Sequence, residues 1–238
     1  MISVHNVSKA FGDQVVLNNV SLEVREGEIL VILGASGTGK SVLLKHMIGL
    51  LHPDEGHIEL DGQDISQLTE EALLTVRKKI GFLFQEGALY DFMNVFDNIA
   101  FPLREHTDFD KETIKQKVND ILGQLDLKDI NKKFPSELSG GMKKRVALAR
   151  AVILDSKILF CDEPTSGLDP IRSRDISALI RDTAKKLHCT TVVTSHDIQN
   201  SFRIADRIAL VRDGAIVACG TPQELKDSKD SFVLEFIQ

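Results

Sequence analysis

The run Gly34-Ala35-Ser36-Gly37-Thr38-Gly39-Lys40-Ser41 has the spacing G-x-x-x-x-G-K-[ST]. Such a loop turns backbone N–H groups inward around a phosphate chain. Lys40 adds a full positive charge, and the Ser41 hydroxyl is able to ligate Mg2+. Val42 opens the apolar helical pattern that follows. Alone, this loop implies only that a nucleoside triphosphate can bind.

Two further strand-like runs end in chemistry. Ile158-Leu159-Phe160-Cys161 is followed at once by Asp162 and Glu163. That arrangement puts both carboxylates at the carboxyl edge of a parallel sheet, where ligands bind in such folds. There Asp162 holds Mg2+ through its water shell, and Glu163 orients or deprotonates an attacking water. Two acids capping a loop before Pro164 is the plainer reading, and the matching phosphate loop weighs against it. His196 ends the run Thr190–Ser195 and can donate a hydrogen bond to a γ-phosphate, but alone it reads equally as a helix cap or loop residue. Gln85 ends Lys79–Phe84; a strand-end Gln can reach metal and water, and by itself it is uninformative.

Ser139-Gly140-Gly141 opens a strong helical pattern, Met142 to Val152. A helix start of this kind carries about half a positive charge and can bind phosphate. The same chain cannot fold this second anion site onto a phosphate already enclosed by its own loop if a helical segment separates them. A second copy, turned head to tail, can. No arginine finger is evident, so the borrowed helix end would supply the missing transition-state charge.

The elements that must position these residues are legible as an α/β pattern. Ile2–Val24 alternates in two segments around Phe11-Gly12-Asp13, which predicts antiparallel strands at the edge of the fold. Glu28–Leu33, Gly56–Asp61 and Lys79–Phe84 predict strands. The stretch 86–156 reads as a helical insertion, with Asp110–Leu125 helical, and Leu89, Tyr90, Phe92, Met93 and Phe96 as an apolar loop. A helix over Ile176–Leu187, a hairpin around Asp213-Gly214 and one terminal helix from Pro222 complete the pattern. The fold class is α/β: a P-loop NTPase core with a mixed, mainly parallel sheet, an N-terminal antiparallel β subdomain and a helical insertion. Residues 1–85 and 157–221 would form the core, 86–156 the helical part and 222–238 the terminal helix.

The chain has 238 residues with 29 Lys and Arg against 35 Asp and Glu, a net charge of −6. That balance argues against nucleic acid as a partner. Cys161, Cys189 and Cys219 are far apart in apolar surroundings and read as core residues in a reducing compartment. No signal peptide is visible, and no apolar run is long enough to cross a bilayer.

These residues in this order resemble the ATP-binding-cassette family along the whole chain. The phosphate loop is Gly34–Ser41, the Q-loop Gln85, the signature Leu138–Met142, the acidic strand Ile158–Glu163, the D-loop Ser166–Asp169 and the switch histidine His196. The resemblance implies a nucleotide-binding domain, with ATP and Mg2+ bound, and with Phe11 stacking on adenine. Ser41, Gln85 and Asp162 would be the metal ligands. It also implies a sandwich homodimer hydrolysing two ATP molecules and coupled to membrane subunits. Met142 stands where the signature usually has Gln, and Phe11 where Tyr is commoner; stacking needs only the ring.

The segment Gln85–His106, with GASGTGKSVLLKHMIGLL and LSGGMKKRVALARA, is similar to the Mla-type ATPases of phospholipid transport across the bacterial envelope. That branch implies a permease dimer, MCE-domain lipid-binding proteins and a small STAS-domain partner, with the ATPase peripheral on the cytoplasmic face of the inner membrane. A transporter of amino acids or lipoproteins, and a permease-like signalling complex, remain open alternatives.

Overall fold

The computed structural model describes residues 2–237. It opens with β1 (Ile2–Phe11) and β2 (Gln14–Val24), paired antiparallel from Ile2↔Val24 to Phe11↔Gln14. Then follow β3 (Ile29–Leu33), α1 (Lys40–Met47), β4 (Glu55–Leu60), β5 (Gln63–Asp64), α2 (Glu70–Arg77) and β6 (Ile80–Leu83). The middle of the chain is helical, with α3 (Val95–His106), α4 (Lys111–Gln124) and α5 (Gly140–Val152). It closes with β7 (Ile158–Asp162), α6 (Pro170–Leu187), β8 (Thr190–Ser195), α7 (Ile198–Ile204), β9 (Arg207–Arg212), β10 (Ala215–Gly220), α8 (Pro222–Lys226) and α9 (Ser231–Ile237).

Two sheets result, a four-stranded one ordered β2-β1-β4-β5 and a six-stranded one ordered β10-β9-β3-β8-β7-β6. The second is parallel except for β10, which returns from β9 as a hairpin. Its central strands β3, β7 and β8 are buried along their whole length. Continuous apolar runs are what a sheet covered on both faces demands. On β3 the pleat sorts side chains to two cores. Ile29, Val31 and Leu33 pack with the helical residues Val146, Leu148 and Ile180. Leu30 and Ile32 pack with α1 and the four-stranded sheet, against Leu43, Met47 and Val20.

The parallel register decides where the chemistry emerges. Leu83 lies beside Cys161, Asp162 beside Thr194, and Leu33 beside Ser195. The carboxyl ends of β6, β7, β8 and β3 therefore share one edge. From it emerge Gln85, the Asp162–Glu163 pair, His196 and the phosphate loop.

Three expectations need correction. The terminal segment is two helices rather than one, because Asp230 Oδ1 accepts the N–H groups of Phe232 and Val233 at 2.8 and 3.3 Å and starts a new helix. Phe96 lies in the first turn of α3, which Asn94 caps from its side chain, and not in a loop. Cys161 and Cys189 are buried, but Cys219 is exposed on β10, the outer strand of the large sheet.

Candidate active site

Gly39 has φ 94° and caps α1. A Cβ there would come within 2.7 Å of the Val16 carbonyl oxygen, so both backbone conformation and space require glycine. Lys40, the first residue of α1, is buried; its Nζ donates to the carbonyls of Gly34 and Ala35 at 2.9 Å each. Thr38 Oγ1 donates to the same Ala35 carbonyl, which ties the loop across its base. Lys40 Nζ also lies 3.3 Å from Glu163 Oε1.

The acids are held by hydroxyls. Asp162 Oδ1 accepts from Ser41 Oγ and from Thr194 Oγ1, each at 2.7 Å. Thr194 Oγ1 in turn accepts the backbone N–H of Glu163 at 3.0 Å. Glu163 has φ 44°, a conformation uncommon for a residue with a side chain, and such strain persists only where neighbours enforce it. His196 Nδ1 sits 2.6 Å from Glu163 Oε2. Glu163 is therefore gripped at both carboxylate oxygens, by Lys40 and by His196. Gln85 Nε2 donates to Ser166 Oγ at 3.2 Å.

A cavity of ≈ 380 Å³ joins these groups. Ser36, Gly37 and the stretch Gly39–Val42 line it together with Gln85, Glu163, Ser166 and His196. Gly34, Ala35 and Thr38 brace the loop from behind through the bonds above. Ser41, Asp162 and the Gln85 side-chain carbonyl offer only oxygen, a donor set suited to a hard cation such as Mg2+. The cavity thus sets a phosphate-type loop, an oxygen donor set, a carboxylate and a histidine side by side, the kinds of group that phosphoryl transfer to water uses.

Phe11 and the signature residues are not brought into that cavity. Phe11 ends β1 with 48% of its surface exposed, and Val16 lines the cavity. Ser139 caps α5, accepting from the Met142 N–H. Gly140 and Gly141 have no positive φ. A Cβ on them would meet only Leu168 Cδ2 at 3.5 Å and Arg172 Cδ at 4.0 Å. Their own chain thus leaves room for a Cβ at both positions.

Several functional contacts had no signal in the sequence. Thr194 reads as one more residue of a buried strand. Lys144 Nζ donates to the Gln85 carbonyl, and burial pushes its pKa down. Arg150 donates to the carbonyls of Ala88 and Gly87 at 2.8 Å each, so α5 holds the segment after Gln85 by its backbone. Asn98, fully buried on α3, donates to the carbonyls of Tyr90, Met93 and Asn94 and accepts the Tyr90 N–H. It fixes the apolar segment whose Tyr90 and Phe92 stay exposed. A buried side-chain amide with such a demand for partners is the one retrospective clue.

The sequence profile described as ABC transporter matches residues 17–166. The chain is 42% identical over 238 residues to the Haemophilus influenzae intermembrane phospholipid transport system ATP-binding protein MlaF, covering 100% of itself and 90% of that protein. To the Escherichia coli K12 protein of the same name it is 41% identical, covering 100% and 88%. To a Mycobacterium tuberculosis probable ribonucleotide transport ATP-binding protein, mkl, it is 42% identical, covering 99% of itself and 66% of that longer protein. Among solved structures, a dimeric ATP-binding cassette in a post-hydrolysis state with ADP and Pi superposes with TM-score 0.85 at 31% identity, covering 93% and 99%. Profile, relatives and the site's geometry agree: the chain belongs to the ABC transporter family.

Proposed function

We propose that this chain is the ATP-hydrolysing subunit of a transporter that moves phospholipid across the bacterial envelope. The observation that carries the reading is Glu163, held between Lys40 and His196 beside the phosphate loop. In hydrolysis, Lys40 exchanges its loop carbonyls for phosphate oxygens, and Glu163 takes the proton of the attacking water. His196, already bonded to Glu163, orients that carboxylate. Ser41, Asp162 and Gln85 would hold Mg2+, which offsets the negative charge of the phosphates. Phe11 would stack on adenine.

The bare helix start at Ser139–Gly141 supports a homodimer in which each copy completes the other's site. Residues 86–156 would move as a unit against the core formed by 1–85 and 157–221. Lys144, bonded to the Gln85 carbonyl, and Arg150, bonded to the carbonyls of Gly87 and Ala88, would supply the link between the site and that unit. A groove of ≈ 710 Å³ beside this segment is lined by Leu74, Phe82, Phe84, Tyr90, Phe101 and Pro102. It supports docking of an integral-membrane permease, with the ATPase peripheral on the cytoplasmic face of the inner membrane. MCE-domain lipid-binding proteins and a STAS-domain accessory protein would complete the assembly.

Glu163→Gln keeps the phosphate loop but lacks the base. In sedimentation with Mg-ATP it runs as a dimer, and a monomer would oppose the scheme. Cargo is tested by what copurifies from membranes: lipid-binding MCE-domain proteins support the reading, and a periplasmic amino-acid receptor contradicts it.

A further inference from the structure

Outside the nucleotide site, the four-stranded sheet gathers two imidazoles and a carboxylate. His5 on β1 lies directly opposite His57 on β4. Glu59 stands two residues beyond His57, on the same face of that strand. The two rings stack with centroids 4.6 Å apart and planes 21° from parallel. His57 Nε2 lies 3.5 Å from Glu59 Oε1, and one donor atom from each of the three residues falls within 4.8 Å of the others.

The backbone is built to hold this pair. Just past His5 the β1–β4 register shifts, and Asn6 adopts φ 50°. Gly56 faces the irregularity with φ 80°, and a Cβ there would sit 2.2 Å from the His5 carbonyl oxygen. Any other residue at 56 would force the strands apart at His5 and His57. Bulges of this kind re-aim side chains and are common beside functional sites.

We propose that His5, His57 and Glu59 form a binding site for a borderline-soft divalent cation, Zn2+ or a neighbouring transition ion, distinct from the Mg2+ ligands. Two imidazole nitrogens and one carboxylate oxygen are a donor set that such ions prefer, whereas Mg2+ and Ca2+ favour oxygen alone. The carboxylate offsets one of the ion's two charges. His57 and Glu59 are each partly exposed, which gives the ion a route in and leaves its remaining position to water. Because the ligands come from two strands, a bound ion staples β1 to β4. It therefore stabilises the sheet whose other end carries Phe11.

The test uses the untagged full chain without nucleotide, titrated with Zn2+ and, separately, with Mg2+. One equivalent of Zn2+ binds, raises the unfolding midpoint in proportion to the logarithm of free metal, and is not displaced by Mg2+. His57→Ala and Glu59→Gln each weaken binding by at least about tenfold, the loss that even outer partners of metal sites cause. His196→Ala retains the equivalent. Metal-free unfolding curves of Glu59→Gln matching wild type show that the fold is intact. Absence of binding, binding unchanged in both variants, or binding lost only in His196→Ala overturns the proposal.

Discussion

Thr194 donates its hydroxyl to Asp162 at 2.7 Å while accepting the backbone N–H of Glu163 at 3.0 Å. One buried hydroxyl on β8 thereby sets the orientation of both acids on the neighbouring strand. Thr194→Val keeps shape and volume but removes that bridge, leaving Asp162 with Ser41 alone. Stability falls by about 1–3 kcal/mol, the range for a buried polar group left short of a partner. Half-maximal hydrolysis then needs several-fold more Mg2+, and Thr194→Ser restores both. Urea unfolding and Mg2+ titration of the hydrolysis rate measure the two effects.

Asn98 secures the segment Tyr90–Asn94 through four hydrogen bonds. Asn98→Ala leaves the Tyr90 N–H and the Met93 carbonyl without their partner, while the Tyr90 and Asn94 carbonyls keep the backbone N–H groups of Met93 and residue 98, at a cost of about 2–4 kcal/mol. Amide exchange at Tyr90 speeds up well beyond the change seen in β3. Uniform acceleration of both would mean that Asn98 stabilises the whole fold and not this segment.

His46 on α1 is buried, with Nδ1 bonded to the Val42 carbonyl at 2.7 Å and Nε2 without a hydrogen-bond partner among the described residues. Burial pushes its pKa below the ordinary histidine value, and the charge on Lys9 acts in the same direction. The unfolded chain therefore binds the proton first. This contribution to stability is complete above the unfolded pKa, near 6.5. It is lost as pH falls toward the lowered folded value. The exposed carboxylates Asp54, Glu70 and Asp110, whose pKa values are lowered by hydrogen bonds, lose their contribution only in a more acidic window. Urea midpoints between pH 7 and pH 5 fall in the wild type and change less in His46→Leu.

The sequence discloses what is local and leaves out what depends on register. Gly34–Ser41, Asp162-Glu163 and the strand runs are contiguous, so their spacing alone predicts a strand edge loaded with phosphate and metal ligands. Thr194 became visible only when β7 and β8 paired with Asp162 beside Thr194. Lys144 gained its role because α5 packs near β6, a contact between residues 59 apart in sequence. Cys219 fits an apolar strand pattern, but its strand is the sheet's outer member, and no alternation reports that. The break between α8 and α9 was marked in the chain by Ser228 and Asp230, side chains that cap helices, ahead of the apolar run.

The central claim is that Gly140 and Gly141 are bare for the benefit of a second copy. Gly141→Asp adds its Cβ without a clash in its own chain, the nearest atom being Arg172 Cδ at 4.0 Å. An acid in the first turn of α5 also favours that helix. The variant should therefore fold at least as stably as wild type and bind nucleotide at its intact phosphate loop. Its charge, however, would face the phosphates of the partner's site. The account predicts that steady-state Mg-ATP hydrolysis falls about a hundredfold, the loss typical of removing one transition-state donor. Hydrolysis by Gly141→Asp at the wild-type rate would contradict it.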